Sequence, residues 1–279
     1  MTKDPRVRVH LVGDWNESQV RTAWGENSHE VPAEVQELID RAWEQASARP
    51  GVKLFDGSMC RLESWTEISG GSLQLILSRT SYKLFLGTNM SHPELADRFG
   101  PRVLANPVGV SPALETADGF LMLGRRNARV AYYPSRVHPF AGCLEPVDAR
   151  SGDGTVLGND GPDVFAAVRR ELFEELGLTV ADVPTIRCTG IAEDVCLRQP
   201  ELIFRVKTSL TRSQIESQVA RDEHHESWSI PATPSGVEAG LIDPELTPVA
   251  VASLLLWGRV AFGEGWSKTV RGNTAQADS

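Results

Sequence analysis

Nine consecutive residues near the middle of the chain, Arg170-Glu171-Leu172-Phe173-Glu174-Glu175-Leu176-Gly177-Leu178, carry the side chains best suited to chemistry. Read as the last turns of a helix, they set Glu171, Glu174 and Glu175 at i, i+3 and i+4, on one face. Like charges at those spacings destabilise a helix by roughly 0.2–0.5 kcal/mol per pair, so the arrangement makes physical sense when a cation neutralises it. Oxygen-only donors select a hard ion, Mg²⁺ or Mn²⁺. The competing reading is a solvated acidic face, the commonest origin of a Glu-rich helix.

The helix that must present these carboxylates is well punctuated. Asp160-Gly161-Pro162 stands at its start, with Pro162 suited to the first helical position, and Gly177 stands at its end. Phe165, Val168, Leu172 and Leu176 form an apolar face, with the acidic set mostly round the other side. Upstream, alternation over 6–12 predicts a strand, and helical spacing of Val35, Leu38, Ile39 and Ala42 predicts a helix over 32–48. Residues 60–68 and 73–78 read as strands joined at Gly70-Gly71, followed by a short helix from Thr80 or Ser81 to Gly87. Residues 119–126 and 129–133 read as a strand pair around Asn127-Ala128. Downstream, 185–196 and 202–207 are expected as strands, 209–219 as a short helix and 248–262 as an apolar helix, with a frayed tail from Gly263.

A chain of 279 residues, 41% hydrophobic, can bury a substantial core in one large domain or two ordinary ones. A net charge of -9 without clustered Lys and Arg argues against nucleic acid as a partner. Cys60, Cys143, Cys188 and Cys196 lie far apart, without metal-site spacing, and read as reduced thiols. No secretory segment follows the polar start, and the apolar run 249–257 is too short for the ~20 residues that span a bilayer. A soluble, cytoplasmic protein is expected.

The segment Arg170 to Leu178 matches every specified position of R-E-U-x-E-E-x-G-U, where U is a bulky aliphatic residue, and so resembles the downstream half of the Nudix hydrolase box. That resemblance implies an α+β fold, an α/β/α sandwich with a mixed sheet, and a Mg²⁺-dependent enzyme in which Mn²⁺ can substitute. The expected organisation is an N-terminal α+β domain over 1–112 that contributes to substrate recognition, a Nudix domain over 113–264 and a flexible tail over 265–279. A narrower resemblance runs with gaps from about Leu54 to about Trp228. Leu54-Phe55-Asp56, Thr80-Ser81-Tyr82, Phe85-Leu86-Gly87-Thr88-Asn89, Asn106-Pro107-Val108-Gly109-Val110 and Ala113 to Asp118 are similar to the pre-box region of the Nudix UDP-glucose and UDP-galactose diphosphatases. It implies a nucleotide-sugar substrate, cleaved to UMP and sugar 1-phosphate, and binding residues among Phe55, Thr80, Ser81, Tyr82, Thr88 and Asn89.

By the same resemblance Glu171, Glu174 and Glu175 are the metal ligands, Arg170 orients a carboxylate, and the base lies between Glu174 and Glu226. The upstream half of the box departs from the pattern. G-x5-E-x7-R leaves thirteen residues between Gly and Arg, whereas residues 143–169 separate Gly142 from Arg170; the extra fourteen are expected within 146–161. Glu145 or Asp163 is then the stand-in for the displaced acid, and Glu145, Asp163, Glu223 and Glu226 are candidates for a further metal ligand. Other readings are a Nudix pyrophosphatase acting on ADP-ribose or another nucleoside diphosphate derivative, and a non-catalytic sensor. Thr88 to Pro93 also resembles isopentenyl-diphosphate isomerase, but Met90 stands where that chemistry needs a cysteine.

Overall fold

The computed structural model describes residues 4–26, 30–49, 53–148, 161–219 and 224–273. In chain order these form β1 (Val7–Trp15), β2 (Val20–Trp24), α1 (Ala33–Ser47), β3 (Ser58–Ile68), β4 (Ser72–Ser81), α2 (Tyr82–Phe85), α3 (Leu95–Phe99), β5 (Gly109–Glu115), β6 (Phe120–Arg126), β7 (Val137–His138) and β8 (Gly142–Cys143). Then come α4 (Val164–Leu176), β9 (Thr185–Asp194), β10 (Gln199–Lys207), α5 (Arg212–Glu216), β11 (His224–Pro231), α6 (Pro234–Leu241) and α7 (Pro248–Asn273). The main sheet runs β1-β9-β10-β5-β6-β11, with β7 on β6 and β8 on β5; β10 and β5 are parallel and the other pairs antiparallel. A smaller sheet has the order β2-β4-β3. The fold is α+β with mixed sheets.

Strand parity assigns the two faces of the main sheet. Val110, Leu114, Met122, Leu202 and Phe204 pack in one core with Phe165, Val168, Leu172 and Leu176 of α4. Ala113, Leu121, Leu123 and Ile203, displaced by one residue, pack in a second core with Leu254, Leu255 and Trp257 of α7. The small sheet joins the α4 core through Cys60, Leu62, Leu73, Leu75 and Leu77. Meanwhile β1 is an edge strand of the main sheet, and residue 112 falls inside β5. Residues 1–112 therefore share a sheet and a core with residues from 113 onward.

Several local expectations change. Residues 129–133 form no strand; β6 pairs with β5, β7 and β11 instead. The helix expected to end at Gly87 passes through it as a π-turn over Leu86–Met90. A Cβ at Gly87 would lie 2.6 Å from the backbone of Ile39, so glycine lets α1 lie directly against this segment. Pro162 precedes α4, whose N-cap is Asp163; its carboxylate accepts from Phe165 and Ala166 N–H at 2.8 and 3.3 Å. Gly177, at φ 66°, closes the helix in the left-handed conformation. Helix α7 breaks at Gly263 and resumes to Asn273, inside the stretch expected as tail; residues 274–279 lie outside the described residues. No described helix is long and apolar enough to cross a membrane. All four cysteines are free.

Candidate active site

The three box carboxylates do not share one environment. Glu171 and Glu175 are buried beside the apolar stripe of α4, at 8% and 6% exposure, whereas Glu174 projects outward with its side chain 56% exposed. The buried carboxylates are thus the i, i+4 pair. Glu171 lies against the backbone of Gly142 in β8, where a Cβ would come 2.0 Å from its Oε1. Only glycine leaves that space for the carboxylate.

Arg170 ties the site together. Its Nη1 donates to Glu171 Oε1 at 2.7 Å and to Glu174 Oε2 at 3.4 Å, and its Nη2 donates to the Cys143 carbonyl at 3.0 Å. The remaining edge of the guanidinium meets Asp148 in bidentate fashion, Nε to Oδ1 at 2.8 Å and Nη2 to Oδ2 at 3.2 Å. Burial works against the arginine's charge, but the Asp148 bond and the neighbouring carboxylates hold its pKa above the ordinary value.

Asp148 is not among the residues nominated from sequence, and it resolves the displaced half of the box. The Asp163 N–H donates to the Asp148 carbonyl at 2.9 Å, so these two residues are backbone neighbours; residues 149–160 of the expected loop lie outside the described residues. Removing the fourteen residues 149–162 between those two restores the spacing: five residues from Gly142 to Asp148, then seven to Arg170. The acidic position of the pattern is therefore Asp148. Glu145 sits three residues short of it, 4.0 Å from Arg170, with its N–H donating to Asp148 Oδ2 at 2.7 Å. Asp163 is committed to capping α4.

Glu226 is not brought to the buried pair. His224 pairs with Arg126 and Glu226 with Arg125, so the extra residue, His225, is a bulge that turns Glu226 to the face opposite His224. There Glu226 meets Arg125 at 3.4 Å, and Arg125 also holds Glu245 at 2.8 Å. The residue of β11 that does reach the site is His224, fully buried, with Nδ1 3.6 Å from Glu175 Oε1 and its ring 5.0 Å from that of Phe140. Burial first, then the charges of Arg126 and His225, push the His224 pKa down to about 3, so the imidazole is neutral and the contact is not an ion pair. Glu226→Gln should consequently keep kcat within about twofold of wild type, as measured by chromatographic quantification of the nucleotide product; a fall of tenfold or more would restore Glu226 to the catalytic set. Glu223 lies outside the described residues.

The residues nominated for substrate binding separate in the same way. Thr88 and Asn89 are fully buried and bonded inward. Thr88 Oγ1 donates to Leu84 O at 2.6 Å and accepts from Ala105 N–H at 3.0 Å, while Asn89 Nδ2 donates to Leu197 O at 2.8 Å. They clamp the N-terminal segment to the turn before β10. Ser81 caps α2, and Thr80 is buried in β4. Tyr82 lines a groove of 1290 Å³ between α1 and the 128–134 loop, and Phe55 is 83% exposed next to its wall residue Leu54. Arg41, Arg49, Lys53 and Arg129 also line this groove, a cationic surface in an acidic chain.

Among the described residues, no three His, Cys, Asp or Glu side chains form a ready-made metal cluster. The buried Glu171 and Glu175 nonetheless fit a hard divalent ion of the Mg²⁺ type, which is commonly held by one or two carboxylates and completed by waters and substrate phosphates. The pocket that Gly142 leaves around Glu171 is consistent with that use.

An arginine locking the first glutamate of an R-E-x-x-E-E helix against a glycine loop is the arrangement of a Nudix hydrolase, and the chain belongs to that superfamily and is an enzyme of it. Over about four-fifths of its length it is similar to the uridine diphosphate glucose pyrophosphatase NUDT22. Identity is 32% over 246 residues with the Mus musculus protein, covering 79% of each chain, and 32% over 250 residues with the Homo sapiens protein, covering 80% of this chain and 82% of that one. No family model matches the chain. Among solved structures it is similar to DR0079 of Deinococcus radiodurans (TM-score 0.38, 16% identity, 53% of this chain and 80% of that one). It is also similar to a MutT protein of Methanosarcina mazei Go1 (TM-score 0.36, 13% identity, 56% and 94%).

Proposed function

We propose that the protein hydrolyses the diphosphate bond of UDP-sugars, UDP-glucose and UDP-galactose, to UMP and sugar 1-phosphate, with Mg²⁺ held by Glu171 and Glu175. The observation that carries the hydrolytic reading is the pair of buried carboxylates one helical turn apart, which no packing argument requires. The substrate class is supported by the NUDT22 relatives and by the groove, whose Arg41, Arg49, Lys53 and Arg129 suit an anionic ligand and whose Tyr82 offers an aromatic edge.

When bound, a divalent cation neutralises the diphosphate and lowers the pKa of a coordinated water. The protein's own part is positional. Asp148 fixes Arg170, Arg170 fixes Glu171, and the αL turn at Gly177 ends the helix just past Glu175. Water oxygen attacks one phosphorus, the bridging P–O bond breaks, and the water's proton must be taken up. Of the two bases considered, Glu174 stays beside Arg170 while Glu226 faces away, so we assign proton acceptance to Glu174.

A hydrolysis panel with Mg²⁺ tests this reading, comparing UDP-glucose, UDP-galactose, ADP-glucose, ADP-ribose and NADH. UMP and hexose 1-phosphate should appear from the first two at a kcat/KM at least tenfold above the others. Consumption of ADP-ribose with UDP-sugars left intact would overturn the substrate assignment.

A further inference from the structure

Arg126, the last residue of β6, is 4% exposed, yet it makes no ion pair among the described residues. Its Nε donates to the Tyr132 carbonyl at 3.2 Å and its guanidinium lies 4.5 Å from the centre of the Tyr132 ring. Nη1, shielded from solvent, has no hydrogen-bond partner among the described residues. His224, its cross-strand partner in register, is fully buried and likewise has neither ring nitrogen hydrogen-bonded among the described residues. Two adjacent buried side chains thus hold polar nitrogens with no hydrogen-bond partner among the described residues, an arrangement that proteins avoid unless a ligand completes it.

Their position decides which ligand. Parity places Arg126 with Met122, on the α4 face of the sheet, and His224 on that same face beside Glu175. A buried cation on the face that carries two buried carboxylates suits a ligand that bridges them. Such a ligand is anionic towards Arg126 and metal-binding towards Glu171 and Glu175. We propose that Arg126, with His224 across the strand pair, forms an anion pocket that takes the phosphoryl oxygens of the substrate diphosphate turned away from Glu171 and Glu175. The planar fork of the guanidinium matches two such oxygens, and its seat on Tyr132 fixes its direction in advance. The 127–136 segment, which also forms one wall of the cationic groove, then brings the diphosphate and the rest of the nucleotide sugar into one continuous site.

This inference rests on the diphosphatase reading but is tested apart from it, by titrating the full chain with inorganic pyrophosphate at constant Mg²⁺. Arg126→Met should weaken the pyrophosphate Kd and raise the KM for the diphosphate substrate at least tenfold. The unliganded variant should melt at or above the wild-type temperature, because an uncompensated buried charge has been replaced by an apolar chain of similar length. An arginine with a purely structural role predicts the reverse, a lower melting temperature with an unchanged Kd. If Arg126→Met does not fold, Arg126→Gln, which keeps a donor for Tyr132 O without the charge, is read in the same way. A wild-type Kd in whichever variant folds, or no binding of pyrophosphate to the wild type, overturns the proposal. Weakened pyrophosphate binding in a protein that ignores UDP-glucose would remove the substrate assignment alone, whereas UDP-glucose turnover at wild-type KM in the variant would remove the anion pocket alone.

Discussion

Glu175→Gln is expected to lower kcat by at least about 10²-fold, the scale on which a single preorganised electrostatic group contributes to catalysis. It should do so with little change in melting temperature. The substitution is nearly isosteric, the site lies inside a packed helix–sheet interface, and it removes a buried negative charge instead of creating one. The neutral His224 beside it needs no counter-charge, so no second group is orphaned. Mn²⁺ binding followed by electron paramagnetic resonance should weaken in parallel, which separates loss of a metal ligand from loss of a base. Glu174→Gln provides the contrast: its exposed side chain predicts reduced turnover with metal affinity kept. Full activity in Glu175→Gln would sink the two-carboxylate site.

The elements that position this pair were legible in sequence where local rules govern. The α4 helix and its glycine stop follow from spacing and capping chemistry, the part of its arginine follows only from the resemblance to the box, and α1, the β3–β4 hairpin and the β9–β10 pair follow from hydrophobic period. What sequence hid was decided by long-range geometry. The bulge at His225 reverses the side on which Glu226 falls, and only the pairing of β11 with β6 reveals it. Thr88 and Asn89 have side chains fit for a ligand but spend them on the backbone of residues 84, 105 and 197. The split between buried Glu171 and Glu175 and exposed Glu174 depends on what α4 packs against, although all three occupy one helical sector. The arc 127–136 supplies Tyr132 to Arg126 instead of a strand to the sheet.

The displaced acid is the most instructive of these, because one substitution there tests both the motif and the mechanism. Asp148→Asn is expected to reduce kcat/KM by about 10- to 100-fold, the usual cost of removing a partner that orients a metal ligand. Asp148 accepts three hydrogen bonds with its two oxygens: from Arg170 Nε, from Arg170 Nη2 and from the Glu145 N–H. An asparagine can satisfy one side only and must turn its NH₂ towards a donor on the other. Its side chain is 4% exposed, so water cannot repair the mismatch, and breaking a buried charged pair costs about 3 kcal/mol. For a chain of this size that is roughly a 6 °C fall in melting temperature. Arg170 would then be drawn towards Glu171 and Glu174, which it already touches, and would compete with a cation for Glu171. Raising Mg²⁺ should therefore recover part of the activity of Asp148→Asn and none of that of Glu175→Gln, since the first variant keeps its ligands and the second has lost one. Glu145→Gln, altering an exposed carboxylate 4.0 Å from the arginine, should stay near wild type in both activity and melting temperature. Near wild-type behaviour of Asp148→Asn together with a large loss in Glu145→Gln would return the acidic position of the box to Glu145.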